Sequence, residues 1–131
     1  MEAMKFTVDH IHLISSDPSG TAAWYSEMFG AQIVKRGLVR GASQIAVSFG
    51  DFLILVRGER PDENASEKPG LTWGVDHFGL TVGGDFDAFC AKLKQKGVVF
   101  SLNPTNINPE TRIAFINAPD RVSVELVSRA V

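Results

Sequence analysis

The 131-residue chain has one cysteine, Cys90, one tyrosine and three histidines, and almost no excess of charge of either sign. A lone cysteine excludes an internal disulfide, so cohesion has to come from an apolar core, which a chain of this length can build. Thirteen Lys and Arg against fifteen Asp and Glu leave a formal net charge of −2, with no basic block. That excludes nucleic-acid binding through bulk charge. No apolar run is long enough to span a bilayer, so no membrane partner is expected. Met1-Glu2-Ala3-Met4-Lys5 is followed by no apolar stretch of the kind a signal peptide needs. These absences fit a cytoplasmic protein, and the length suggests one domain over 1–131. Cys90 falls with Phe86, Phe89 and Leu93 at helical spacing. That makes it a core residue rather than a nucleophile.

What is present is a repeat. Val8-Asp9-His10-Ile11-His12-Leu13 matches Val75-Asp76-His77-Phe78-Gly79-Leu80, with His10 and His77 at an offset of 67. Each segment reads as a short strand with side chains alternating between two faces. A helix follows each. The first starts after Ser16-Asp17-Pro18, pairs Trp24 with Met28 and Tyr25 with Phe29, and stops at Gly30. The second starts near Asp85 and stops at Gly97, again offset by 67. Strands are then predicted over 32–35, 44–49 and 52–57, and over 98–102, 112–117 and 122–128. The fold class is therefore α+β. It comprises two tandem βαβββ modules, over about 5–57 and 72–131, joined by a linker at about 58–71 rich in charge, Pro and Gly. Two small sheets, each with one face under its helix, can wrap their other faces around a cleft as a half-open barrel.

Strand alternation then sorts the polar residues. Ile11 and Leu13 are assigned to the helix side, which sends His10 and His12 to the cleft. Phe78, Leu80 and Val82 face the second helix, which sends His77, Gly79 and Thr81 inward. In the last strand Val122, Val124 and Leu126 share one face, and Ser123, Glu125 and Val127 the other. All three histidines and Glu125 thus fall on the cleft side. Two neutral imidazoles and a carboxylate (His10, His77, Glu125) suit one divalent first-row ion with positions left open. Gln44, Trp73, Thr81, Arg112 and Phe115 are expected to wall the pocket.

These motifs resemble a known family. Val-Asp-His-Ile-His-Leu followed by Ala-Trp-Tyr-Ser-Glu-Met-Phe-Gly resembles the opening of the glyoxalase I, bleomycin-resistance and extradiol-dioxygenase group, the vicinal-oxygen-chelate superfamily. The second half, with 75–80, Asn117-Ala118-Pro119-Asp120 and Val124-Glu125-Leu126, resembles that family's second module. The resemblance implies paired βαβββ modules with metal ligands at His10, His77 and Glu125. It also places a fourth ligand, a Glu or Gln in glyoxalase I and methylmalonyl-CoA epimerase, near Leu55. Leucine cannot bind metal, so the pattern turns toward the branches with a His, His, Glu site: extradiol ring-cleavage dioxygenases and fosfomycin-modifying enzymes.

The resemblance thus implies a metal-dependent enzyme acting on a small substrate with vicinal oxygens. An extradiol dioxygenase using Fe(II) stands first, ahead of Mn(II), Zn(II) or Ni(II), with His12 exchanging protons with the substrate. The alternatives are a Lewis-acid lyase or transferase of the glyoxalase or fosfomycin-resistance type, and a non-catalytic drug-sequestering protein. The fosfomycin branch would need a cationic pocket, for which Arg112, Lys94 and Arg121 are candidates. By resemblance the chain is also expected to form a homodimer.

Overall fold

Local signals in the chain place each helix. The Asp17 carboxylate accepts a hydrogen bond from the Gly20 N–H at 3.1 Å, Pro18 fills the first helical position, and helix α1 runs over Pro18–Phe29. Gly30, in the left-handed region at φ 71°, closes it. Asp85 caps helix α2 (Phe86–Gln95) in the same way, accepting from the Ala88 N–H at 3.0 Å.

The structure, a computed structural model, describes residues 3–66 and 70–130. It divides into two compact units, Met1–Ser66 and Glu67–Val131. Of the expected linker, 67–69 lie outside the described residues. The first unit carries β1 (His10–Ile14), α1, β2 (Gln32–Val39), β3 (Ala42–Ser48) and β4 (Leu53–Arg57). The second carries β5 (Phe78–Thr81), α2, β6 (Phe100–Asn108), β7 (Thr111–Asn117) and β8 (Ser123–Arg129). Each unit is therefore one βαβββ module, as the repeat predicts. No helix among the described residues is long and apolar enough to cross a membrane.

The two sheets have one topology. Their strand orders are β1-β4-β3-β2 and β5-β8-β7-β6, with the first and last strands of each unit paired in parallel and the others antiparallel. Parallel partners cannot be joined by a tight turn, and the helix with two further strands supplies the crossover. In the first sheet Ile11 aligns with Ile54 and Leu13 with Val56. Ile45, Val47, Ile54 and Val56 are buried, as are Ala22 and Tyr25 of α1, which lies against β2, β3 and β4. The second core gathers Ala114, Ile116, Val124 and Leu126, with Phe86, Cys90 and Leu93 of α2. Burial raises the Cys90 thiol pKa, which fits a packing role.

Two strands run further than their sequence suggests. β2 extends to Val39 and β6 to Asn108, against the expected 32–35 and 98–102. Both are edge strands, largely exposed, so they lack the apolar alternation that marks a strand facing a core. Pro104 sits in β6 where the register shifts between Leu102 and Thr105. An edge strand tolerates the missing N–H there. The β2–β3 hairpin turns on Arg40 and Gly41, both at positive φ (52° and 83°), the handedness that matches strand twist.

These faces give a direct stability test. Ile54→Ala removes a fully buried side chain and is expected to cost about 2–5 kcal/mol in chemical denaturation. Leu38→Ala, on exposed β2, is expected to stay within about 0.5 kcal/mol. Equal effects of the two substitutions would contradict the assigned core.

Candidate metal centre

The pairing register sets which side chains share the face opposite each helix. In the first unit His10 aligns with Leu53 and His12 with Leu55, one residue out of step with the buried Ile54 and Val56. Both histidines therefore lie on the face away from α1. Gln44 aligns with Arg57 on that same face. In the second unit Gly79 aligns with Glu125, and Glu125 in turn with Phe115 of β7. Glu125, Phe115, Gly79 and Thr81 share the face away from α2.

The two halves are not filled alike. His12 with Leu55, and Gly79 with Glu125, occupy equivalent rungs of the two parallel pairs. The register confirms that the place held by Glu125 in one unit is held by Leu55 in the other. One unit has the carboxylate; the other has a second imidazole.

Each lead histidine is held by the aspartate before it. His10 Nδ1 lies 2.7 Å from Asp9 Oδ2, and His77 Nδ1 lies 2.7 Å from Asp76 Oδ2. An Nδ1–H donated to a carboxylate fixes the ring and leaves Nε2 as the ligating nitrogen, the usual support of a metal-binding histidine. Asp9 and Asp76 were not singled out from sequence. Their signal was present in the Asp-His pair repeated at the 67-residue offset.

In the second unit Nε2 already has a partner. His77 Nε2 lies 2.9 Å from Glu125 Oε1, and the Phe115 ring stands edge-on to His77 at 4.8 Å between centroids. With carboxylates at both nitrogens, the ring is stabilised as an imidazolium. The Asp76 hydrogen bond, followed by Glu125, raises the His77 pKa above its ordinary value against the opposing effect of burial. The pair also fits an ion. Two donors at about 2.1 Å from one metal and roughly at right angles are about 3 Å apart. His77 and Glu125 thus make a two-donor set in which a cation can replace the shared proton. Among the described residues, no group of three His, Cys, Asp or Glu side chains is gathered to hold a metal. His10 belongs to the first unit, with its Nε2 unengaged by Asp9.

His12 behaves oppositely. Partial burial, then the positive charge of Arg57, lower its pKa, so it is neutral near pH 7 and able to accept a proton. The His10 and His12 rings meet edge-on at 5.9 Å.

The expected pocket residues divide. Gln44, Thr81 and Phe115 lie on the histidine-bearing faces of their own units. Trp73 precedes β5 and is fully exposed. Arg112 is corrected: it aligns with Ser128, on the α2 side with Ala114 and Ile116. Its guanidinium donates to Asp87 Oδ1 at 2.9 Å and to Asn106 Oδ1 at 2.8 Å. An ion pair with the first turn of α2 draws it away from the Glu125 face. Lys94 is likewise engaged, donating to Asn103 Oδ1 at 2.6 Å over the Phe100 ring.

Two βαβββ units, each with an Asp-His pair at the entrance to its first strand, define a paired-module class. The family model of the Glyoxalase/Bleomycin resistance protein/Dioxygenase superfamily matches residues 7–126, and the chain belongs to that superfamily. An uncharacterised protein of Bacillus subtilis (strain 168), YwkD, is 26% identical over 124 residues, covering 92% of this chain and 94% of that protein. A glyoxylase/bleomycin resistance protein/dioxygenase domain from Frankia sp. EAN1pec superposes with TM-score 0.81 at 22% identity, over 97% of this chain and 94% of that one. The fosfomycin resistance protein FosX from Listeria monocytogenes, solved with Mn(II) and sulfate, gives TM-score 0.72 at 17% identity, over 98% and 96%. At these identities the structures share the fold.

The proton between His77 and Glu125 has a pH signature. In metal-free protein the His77 ring protons, followed by NMR, should titrate above the ordinary value of about 6.5. Because the folded pKa is raised, the contribution to stability is full below the unfolded pKa and fades as pH climbs through the folded one. Asp76→Asn should lower the His77 titration most and Glu125→Gln less. A titration unmoved in both variants would contradict the hydrogen-bonded chain.

Proposed function

We propose that this protein is a metal-dependent enzyme acting on a small substrate with two vicinal oxygens, and that its reaction is extradiol-type ring cleavage. The observation that carries the reading is the chain Asp76–His77–Glu125, in which an oriented imidazole and a carboxylate stand 2.9 Å apart. His10, held by Asp9 in the same manner, supplies the third donor. A divalent ion on His10, His77 and Glu125, Fe(II) first, would act as Lewis acid on paired substrate oxygens and support oxygen chemistry.

The remaining work falls to the chain. Asp9 and Asp76 hold the ring tautomers, so that each Nε2 presents its lone pair. Phe115 packs against the His77 ring and limits its rotation. His12, neutral near pH 7, takes the proton that a substrate hydroxyl gives up as its oxygen becomes anionic. The likeness to FosX, solved with Mn(II), supports a second reading in which the same donors serve Lewis-acid addition to an epoxide. Arg112 and Lys94, engaged by Asp87 and Asn103, are removed as phosphonate partners, so that reading would need other cations.

The test has two arms. Wild-type protein is expected to hold about one ion per His, His, Glu set by elemental analysis. His77→Ala and Glu125→Ala should lose it while circular dichroism stays native. Anaerobic loading with Fe(II), then exposure to a catechol panel in air, should drive oxygen uptake that falls by about two orders of magnitude or more in His12→Ala. Metal retained in both ligand variants would remove the site; a loaded protein that consumes no oxygen with any catechol would remove the dioxygenase reading.

The working form proposed is a homodimer. Met4, Phe6 and Val8 are exposed, as are Leu71, Trp73 and Val75, two alternating apolar triplets at the 67-residue offset. Each leads into a strand, β1 or β5, at the edge of its own sheet. Unpaired edges and exposed apolar side chains are what a partner chain would cover. Light scattering after size exclusion should give twice the chain mass, shifting toward the monomer in Phe6→Asp combined with Val8→Asp. A monomeric wild type at working concentration would defeat this assignment.

A further inference from the structure

We infer that Arg57 and Arg60 form an oxyanion subsite on the histidine face of the first unit, taking a carboxylate or phosphate group of the substrate. Arg57 closes β4 and shares the face of His10 and His12, since it aligns with Gln44 and lies two residues beyond Leu55, the partner of His12. The chain then turns. Gly58 N–H donates to Ser43 O at 3.0 Å, Glu63 N–H donates to Arg60 O at 3.0 Å, and Pro61 lies close against Gly41 at the β2–β3 turn. The turn thereby holds Arg60 beside Arg57.

A single carboxylate serves both guanidinium groups. Arg57 donates to Glu63 Oε1 at 2.5 Å and Oε2 at 3.2 Å, and Arg60 Nη1 lies 3.6 Å from Oε2. Glu63 Oε1 also accepts the Arg60 backbone N–H at 2.8 Å. The turn also carries Glu59, whose Oε2 accepts from Ala65 N–H at 3.2 Å, and Asp62, so the case for an anion rests on guanidinium geometry and not on net charge. The Arg57 and Arg60 side chains are only 11% and 21% exposed. Arg60 Nε is buried and has no hydrogen-bond partner among the described residues.

A buried guanidinium N–H without an acceptor is costly, and the complement of a guanidinium edge is an oxyanion. Gln44 adds a neutral amide on the same face. Asp9, next to His10, and Asp51, two residues before Leu53, lie toward the other end of the strands. The His10 rung and the Arg57 rung are four residues apart, about 13 Å along a strand. The subsite therefore selects an elongated molecule. On the functional reading proposed above, its vicinal oxygens sit at the His10 end and its anionic group on the order of 10 Å away.

The test uses the metal-free full chain with inorganic phosphate and, separately, acetate at constant ionic strength, following arginine Nε–Hε signals by NMR. A saturable shift of the Arg60 signal is expected. A response to phosphate alone assigns a phosphate group; a response to acetate assigns a carboxylate. The accompanying shifts of the Gly58 and Glu63 amides should need about tenfold more anion or beyond in Arg60→Gln, and unchanged anion in Arg112→Gln. His77→Ala should keep the anion response while losing metal, so failure of the metal reading leaves this result standing. No saturable Arg60 shift with either anion, or equal affinity in Arg60→Gln, overturns the subsite.

Discussion

The parallel pairing of the first and last strands within each unit is the constraint from which the rest follows. A slip of one residue in β1 against β4, or in β5 against β8, would move every side chain of that strand to the other face. Ile11 opposite Ile54 and Phe78 opposite Val124 tie the register to the core, because their face is the one the helix covers. His10, His12 and Glu125 then have no choice of side. The functional residues are positioned by apolar neighbours one residue away, not by contacts of their own.

On that scaffold the polar faces differ in charge. In the second unit His77 lies between Asp76 and Glu125, whose carboxylates raise its pKa against the effect of burial. In the first unit burial first, and then the charge of Arg57, lower the His12 pKa. The Arg57 donor and the Arg60 backbone N–H together pull the Glu63 carboxyl down to about 2, so its negative charge persists across the working pH range. One face presents an imidazole beside a carboxylate; the other presents an imidazole whose pKa is lowered, with Arg57 further along the same face.

Most of the architecture was legible because the chain states it twice. The 67-residue offset returns the histidines, the helix-closing glycines and the strand order, and a signal seen twice resists chance resemblance. What escaped had weaker patterning. The outer parts of β2 and β6 face too little core to alternate. Arg112 was misplaced because β7 is apolar on both faces: Ala114 and Ile116 point to α2, while Ile113 and Phe115 point away from it. Sequence alternation alone gives no side to a charged residue in such a strand; the pairing register puts Arg112 with Ala114 and Ile116, where Asp87 of α2 accepts from its guanidinium. The Arg57–Glu63 pair lay hidden because 58–71 reads as a linker, although its first turn is fastened to the sheet.

Leu55 and Glu125 occupy equivalent rungs, and there the two repeats differ in chemistry. Were both rungs carboxylates, the repeat would offer two acids and two lead histidines as donors, and an ion held by all four would keep fewer open positions. With leucine in one of them, the donors proposed here number three, and an ion preferring six neighbours keeps half of its sphere for small molecules. The Leu55 rung carries His12 across from it in the parallel pair. An apolar neighbour gives no charge to stabilise an imidazolium, so replacing the carboxylate also helps keep His12 a base. Leucine at one of two equivalent places thus suits both demands of the proposed chemistry, open positions at the ion and a neutral imidazole beside it.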